Sequence, residues 1–185
     1  MNLTLLKNPF FRFLIVGTFS YIAWVHAYEY VIEPYTDFDE WLIHRIVLRS
    51  ESLMHLGGVQ TAEFEDGAYR NHIGIVGNKG VTIGAPCNGI SLFVLFIIFI
   101  LAFPAKPWSH KFWFIPLGVV LIHFVNCLRV IALASIFYYN SEWLAFNHDY
   151  TFTILVYAFV FYLWYVFVTN FSGSNPNKDA QKVTS

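Results

Sequence analysis

Cys87, Arg129 and His148 are the residues of this chain whose types can together break an acyl bond. A thiolate attacks carbonyls, a guanidinium holds the oxyanion that forms, and an imidazole exchanges protons near neutral pH. Cys87 stands in Pro86-Cys87-Asn88-Gly89-Ile90, just ahead of an apolar run. Pro86 and Asn88 are helix-start signals, so the cysteine falls within about a turn of a helix N-terminus, where free amides and the helix dipole favour the thiolate. A small apolar residue beginning a helix would be written the same way. What separates the two readings is the company Cys87 keeps.

Arg129 stands inside an apolar run, where an arginine costs a few kcal/mol and persists mainly when it faces a polar interior. Counted from Phe112 at ~1.5 Å per residue, it lies about 26 Å along its helix, close to the far boundary of the membrane. His123, Asn126 and Arg129 recur every three residues, which gives this helix a broad polar stripe rather than one snorkelling arginine at its end. Cys127 projects to roughly the opposite side and reads as packing. His148 stands in Asn147-His148-Asp149 before the last apolar run, and Asn147 or Asp149 can orient it. His26 and Glu29 are one helical turn apart near the end of the first apolar run, placed either to line the same cavity or to pair within their own helix. With His44, His55, His72 and His110, the histidines form no i, i+4 or HExxH pair, so neither a metal nor another cofactor is expected.

Those residues need elements to hold them, and the composition says which. Of 185 residues, 57% are hydrophobic and 12% charged, with 20 Phe. The mean hydropathy of +0.53 exceeds what a soluble domain of this length can bury, so the chain reads as an all-α integral membrane helical bundle. A net charge of −1 offers no basic surface for nucleic acid, and two cysteines are too few for a disulfide framework. Four runs approach the ~20 apolar residues a membrane helix needs. They cover about 10–32, 83–103, 112–139 and 150–169, and together with the segment 33–82 they form one membrane domain, 1–171, followed by a polar tail, 172–185.

Positive residues orient the spans. Lys7 and Arg12 stand at the start of the first, Lys106 and Lys111 between the second and third, and Lys178 and Lys182 after the fourth, whereas the loop 139–149 carries Glu142 and Asp149 and no Lys or Arg. The positive-inside rule then places both termini in the cytoplasm and Cys87, Arg129 and His148 at the outer face. Val25 and Ala27 after a basic start and an apolar run also fit a cleavable signal peptide, but the run continues through Tyr30, Val31 and Ile32 without a polar cleavage region. Either outcome leaves the later spans oriented the same way.

The outer segment 33–82 divides in two. Phe38, Leu42, Ile46 and Leu53 at near-helical spacing, opened by Asp37, Asp39 and Glu40 and stopped by Gly57-Gly58, predict an amphipathic helix on the membrane surface or on the bundle. Turn signals at Asp66-Gly67 and Gly77-Asn78-Lys79-Gly80 then separate short apolar segments, predicting a small β-meander over the outer mouth.

Cys87 within Pro86-Cys87-Asn88-Gly89-Ile90, Arg129 within Asn126-Cys127-Leu128-Arg129-Val130, and His148 before the last helix resemble the Cys, Arg and His signature of the exosortase/archaeosortase family of membrane-embedded cysteine transpeptidases. The resemblance covers about 74–168 and includes a strand-turn-strand leading into the cysteine helix. Two features depart from the family pattern: typical members have more spans, and many have Ser where Asn88 stands, so the chain resembles a short form. The resemblance implies that a C-terminal sorting signal, a short motif followed by a transmembrane helix and a basic end, is cleaved from exported proteins at the outer face of the cytoplasmic membrane. It also implies Cys87 as nucleophile, Arg129 as oxyanion holder and His148 as proton carrier; Asn88, Asn126, His123, Asn147, His26 and Glu29, by their placement in the sequence, are the candidates to support them or bind substrate. Water, an amine or a lipid-linked group would then accept the acyl chain.

The bilayer itself is the other expected partner, since an outer-interface site suits a peptide bond just beyond a membrane helix that arrives by lateral diffusion. Two other classes share this topology. A non-catalytic assembly or adaptor protein would not need Cys87, and a small transporter would use the stripe of His123, Asn126 and Arg129 as a polar path. The orientation is testable first: cysteines engineered into the Lys106 to Lys111 loop should react with an impermeant thiol reagent only after the cytoplasmic side is opened. Labelling from the outside would remove both the topology and the site assignment.

Overall fold

The structure, a computed structural model, describes residues 8–64, 69–77, 79–104 and 108–171. Lys7, the Asp66-Gly67 turn, Asn78, Lys106, Lys178, Lys182 and the polar tail lie outside the described residues.

Asn8 starts α1 (Pro9–Ala27) by accepting the Phe10 amide at 2.9 Å, and Pro9 opens the helix where its missing N–H is no loss. The helix continues past Ala27 through a π-helical turn, Tyr28–Ile32, into the single turn α2 (Glu33–Tyr35), making one apolar rod over Pro9–Tyr35. α5 (Trp108–Tyr139) and α7 (Phe152–Phe171) are the other two helices long and apolar enough, among the described residues, to cross a membrane. The remaining expected span, 83–103, is shorter. Its helix α4 covers Ile90–Ala102, 13 residues or about 20 Å of rise, because Gly84, the 3-10 turn Ala85–Cys87 and Gly89 at φ 77° consume the chain ahead of it. That is less than the ~30 Å of a hydrocarbon core. The architecture is a helical bundle with three long spans and one short apolar helix.

α3 (Phe38–Leu56) is the expected amphipathic helix, and it packs on the bundle with α5 as its main neighbour. Leu42 and Ile46 are buried as expected, but Ile43, Val47 and Met54 complete the inner face while Phe38 is exposed and Leu53 only half-buried. The helix stops at Gly57-Gly58, where Gly58 takes φ 79°. The meander is reduced to β1 (His72–Ile73) and β2 (Val81–Thr82), paired antiparallel with Ile73 opposite Val81, plus one bridge from Thr61 to Ile75. Its last hydrogen bond, from the Ile83 amide to the Asn71 carbonyl at 2.7 Å, delivers the chain to the cysteine turn.

Two cores hold the bundle. The first gathers Ile46, Val47, Ile73, Ile83, Cys87 and Val130 beneath α3. The second gathers Phe96, Ile100, Phe114, Ile122, Val160 and Phe167 between α4, α5 and α7. Between α5 and α7 a helix pair, α6 (Leu144–Phe146) after a 3-10 turn and a π-helical turn Asn147–Thr151 before α7, closes the connection. At the other end of α4, Lys111 donates to the Leu101 and Phe103 carbonyls at 2.9 and 2.7 Å, which satisfies a helix C-terminus inside an apolar setting.

α4 approaches α5 closely where Gly118 faces Phe96. A methyl group on Gly118 would stand 2.2 Å from the Phe96 ring, and Phe96 is wholly buried with no room to swing. Gly118→Ala should therefore lower stability by about 1–3 kcal/mol through overpacking. Thermal unfolding in detergent reads this, and an unchanged midpoint would contradict the close packing of α4 on α5.

Candidate active site

The cysteine turn is built from its glycines and its flanking amide side chains. Within Ala85–Cys87 the Cys87 amide donates to the Gly84 carbonyl at 2.9 Å and the Asn88 amide to the Ala85 carbonyl at 3.1 Å. Gly89 then adopts φ 77°, a left-handed conformation that also leaves no room for a side chain, since a Cβ there would meet Asn126 Nδ2 at 2.9 Å. Helix α4 starts at Ile90, whose amide donates to Asn88 Oδ1 at 2.9 Å. From the opposite side the wholly buried Asn126 of α5 donates Nδ2 to the Cys87 carbonyl at 2.7 Å. Cys87 is thus set off from the first turn of α4 by Gly89.

His148 reaches this turn from 61 residues away. It lies in the π-helical turn Asn147–Thr151, and its Nε2 is 3.0 Å from Cys87 Sγ. The Thr153 hydroxyl donates to the His148 carbonyl at 3.2 Å, which ties that turn to the start of α7. Asn147 donates its side-chain amide to the Trp143 carbonyl at 2.8 Å and so holds the turn rather than the imidazole. The side chain of Asp149 lies outside what the structure describes.

Arg129 is 7% exposed, and its Nε is buried with no hydrogen-bond partner among the described residues. A buried donor left in this way is costly unless a ligand completes it. Arg129 opens onto a cavity of about 480 Å³ with Asn88, His148, Tyr28, Glu33 and Tyr157 among its walls. Cys87, 3% exposed, stands behind those walls against His148. Burial pushes the Cys87 thiol above its ordinary pKa, while the Arg129 guanidinium and the backbone contact at Gly84 pull it down without offsetting the burial. Position near a helix start favours the thiolate, and burial at this turn works against it.

The structure brings together Cys87, Arg129, His148, Asn88 and Asn126, and leaves three expected residues apart. His123 is half-buried and points to Cys127 Sγ at 3.8 Å and to the Phe93 ring, away from the cavity walls. His26 and Glu29 are exposed, with the His26 ring against Tyr30. Tyr28 and Glu33, from the same rod, line the cavity in their place. Cys127 is 2% exposed in the core beneath α3, and its carbonyl accepts the Ser50 hydroxyl at 3.3 Å. Among the described residues no group of three or more His, Cys, Asp or Glu is arranged to hold a metal ion.

Two residues at the site escaped the sequence reading. Asp39 accepts hydrogen bonds from the Tyr28 hydroxyl and from Asn88 Nδ2. Its only sequence signal was membership of the acidic start of α3, and Tyr28 stands within the first apolar run with no spacing to mark it.

A family model described as transmembrane exosortase (Exosortase_EpsH) matches residues 6–169. No curated protein and no solved structure matches the chain.

Because Arg129 opposes the effect of burial on Cys87, Arg129→Gln should raise the thiol pKa further. In a Cys127→Ala background, alkylation of Cys87 at fixed mildly alkaline pH should slow severalfold, with the whole profile moved to higher pH. A profile that Arg129→Gln leaves in place would show that the guanidinium does not act on the sulfur.

Proposed function

The chain belongs to the transmembrane exosortase family, and we propose that it is a cysteine peptidase or transpeptidase that cleaves the C-terminal sorting signal of exported proteins. Membership carries a sorting-related function in the membrane. The observation that supports the finer reading is the 3.0 Å contact of Cys87 Sγ with His148 Nε2 beside a cavity that holds the unpaired Nε of Arg129.

The chemistry balances with these three residues. His148 Nε2 takes the thiol proton as Cys87 Sγ bonds to the scissile carbonyl carbon, and the carbonyl electron pair moves to oxygen, where Arg129 holds the negative charge. Collapse re-forms the C=O and breaks the C–N bond, the amine leaving with the proton that His148 carries. A thioester on Cys87 remains. An acceptor X–H then gives its proton to His148 and bonds to the same carbon, and the thiolate leaves and recovers a proton. Water, an amine or a lipid-linked group serves equally in that step. A raised resting thiol pKa is compatible with this order, because the base is already in contact and the proton leaves only as the bond forms.

In this reading the site faces the outer side of the cytoplasmic membrane, which the flanking charges support, within reach of a peptide bond just beyond a substrate's membrane helix. The basic end of that substrate would stay on the side of Arg12 and Lys111.

The test is processing of a co-encoded exported protein that ends in a short motif, an apolar helix and basic residues. Cys87→Ala should abolish cleavage with insertion unaffected, and Cys127→Ala should retain most of it. His148→Gln should slow turnover by about 10²–10⁴-fold and flatten its pH dependence near neutrality. Cleavage that needs Cys127 and not Cys87 would overturn the assignment.

A further inference from the structure

Asp39 lies outside the cavity walls, half-buried at the start of α3, and its carboxylate is shared between two neutral donors from different elements. One oxygen accepts the Tyr28 hydroxyl from the rod of α1, and the other accepts Asn88 Nδ2 from the cysteine turn. Asn88 itself is 2% exposed, and its remaining side-chain oxygen is taken by the Ile90 amide at 2.9 Å. The chain of bonds therefore runs from Tyr28 through Asp39 and Asn88 to the first amide of α4.

Asn88 shares a peptide group with Cys87, and the carbonyl of that group is held at 2.7 Å by Asn126. One peptide plane is thus pinned from two sides, by α5 at its oxygen and by α3 and α1 through the side chain that follows it. Turn residues outside a helix ladder have no such restraint of their own. A side chain expected to keep its sulfur 3.0 Å from an imidazole on another helix needs it, since catalytic geometry tolerates only about 0.5 Å of drift.

We propose that Asp39 is a positioning residue for Cys87, acting through Asn88 and braced by Tyr28. The inference rests on the reading of Cys87 as nucleophile, but it concerns how the cysteine is held. An ionised carboxylate suits the task, because it accepts from both neighbours at once and charge-assisted hydrogen bonds are the stiffer ones. Asp39→Asn offers only one acceptor oxygen and turns an amide nitrogen toward a donor. Asn88→Asp keeps the contact with the Ile90 amide but sets a second carboxylate against Asp39. The exchanged pair, Asp39→Asn with Asn88→Asp, restores every bond: the Tyr28 hydroxyl donates to the new amide oxygen, and the new amide nitrogen donates to the new carboxylate, which still accepts from Ile90.

The experiment uses the full chain in vesicles and two readouts, turnover of the processed protein and the pH profile of Cys87 alkylation in a Cys127→Ala background. Each single variant should lower kcat on the order of 10- to 100-fold with KM nearly unchanged, as expected for a displaced nucleophile behind the substrate cavity. Its alkylation profile should shift as that of His148→Gln does when the two are measured side by side, because the sulfur has lost its base. The exchanged pair should recover both readouts, and Tyr28→Phe should give a smaller loss of the same kind. An exchanged pair no better than the single variants, or an Asp39→Asn protein with normal kcat and a normal profile, overturns the proposal. If Asp39→Asn does not insert, the exchanged pair decides alone by recovering or failing. Should no form of the protein cleave anything while alkylation responds as described, the positioning role stands and the peptidase reading falls.

Discussion

The Cys87 carbonyl belongs to a turn that no helix ladder completes, and inside an apolar bundle such a group must be satisfied by a side chain from elsewhere. Asn126 supplies that bond at 2.7 Å from the middle of α5. Several features follow from it. Gly89 must lack a side chain because Asn126 occupies the space a Cβ would need, and the left-handed conformation that Gly89 then takes sets where α4 begins. α4 is short for that reason, and its C-terminus needs the Lys111 cap at the opposite end. Asn126 and Arg129 are one helical turn apart, so the helix that fixes the cysteine also carries the cation to it.

Electrostatics at the site are arranged with few charges. Burial opposes ionisation of Cys87, Arg129 offsets part of that effect, and the sulfur lies 3.0 Å from His148 Nε2. An apolar bundle makes this arrangement natural. A thiolate beside a guanidinium here would be a buried ion pair whose desolvation the apolar surroundings do little to offset. The Arg129 Nε–H has no hydrogen-bond partner among the described residues, a cost that an anionic group in the cavity would relieve.

The helices and the burial of Asn126 and Arg129 one turn apart on α5 were legible because apolar length and three-residue spacing are local properties of a sequence, whereas His123 of the same stripe turns to Cys127 instead. The start of α4 was not, since the apolar run hides a turn that depends on the conformation of Gly89 and on a neighbour 37 residues away in α5. The π-helical turns at Tyr28–Ile32 and Asn147–Thr151 leave no periodic mark either. They matter at this site because a π turn shifts which side chains face inward: Tyr28 and Glu33 line the cavity where helical counting from His26 favoured Glu29. Asp39 was visible only as one of three acids suited to a helix start, a role that Asp37 and Glu40 fill without it. Its bonds to Tyr28 and Asn88 join elements that no spacing rule connects.

The two cores give this site different kinds of support. The aromatic core of α4, α5 and α7 is closely packed, with Phe96 and Phe167 wholly buried and Gly118 leaving no space beside Phe96, so it behaves as a fixed body. The core beneath α3 is aliphatic and borders the polar bonds of Asn126, Asn88 and Asp39. Polar bonds define direction where aliphatic packing does not, so the Cys87 turn is oriented by its hydrogen bonds more than by bulk. Tyr28 of the first rod and Tyr157 of α7 are both among the walls of the cavity. Arg129 and His148 line it too, so a group entering the cavity meets the guanidinium and the imidazole while Cys87 stays buried beside His148.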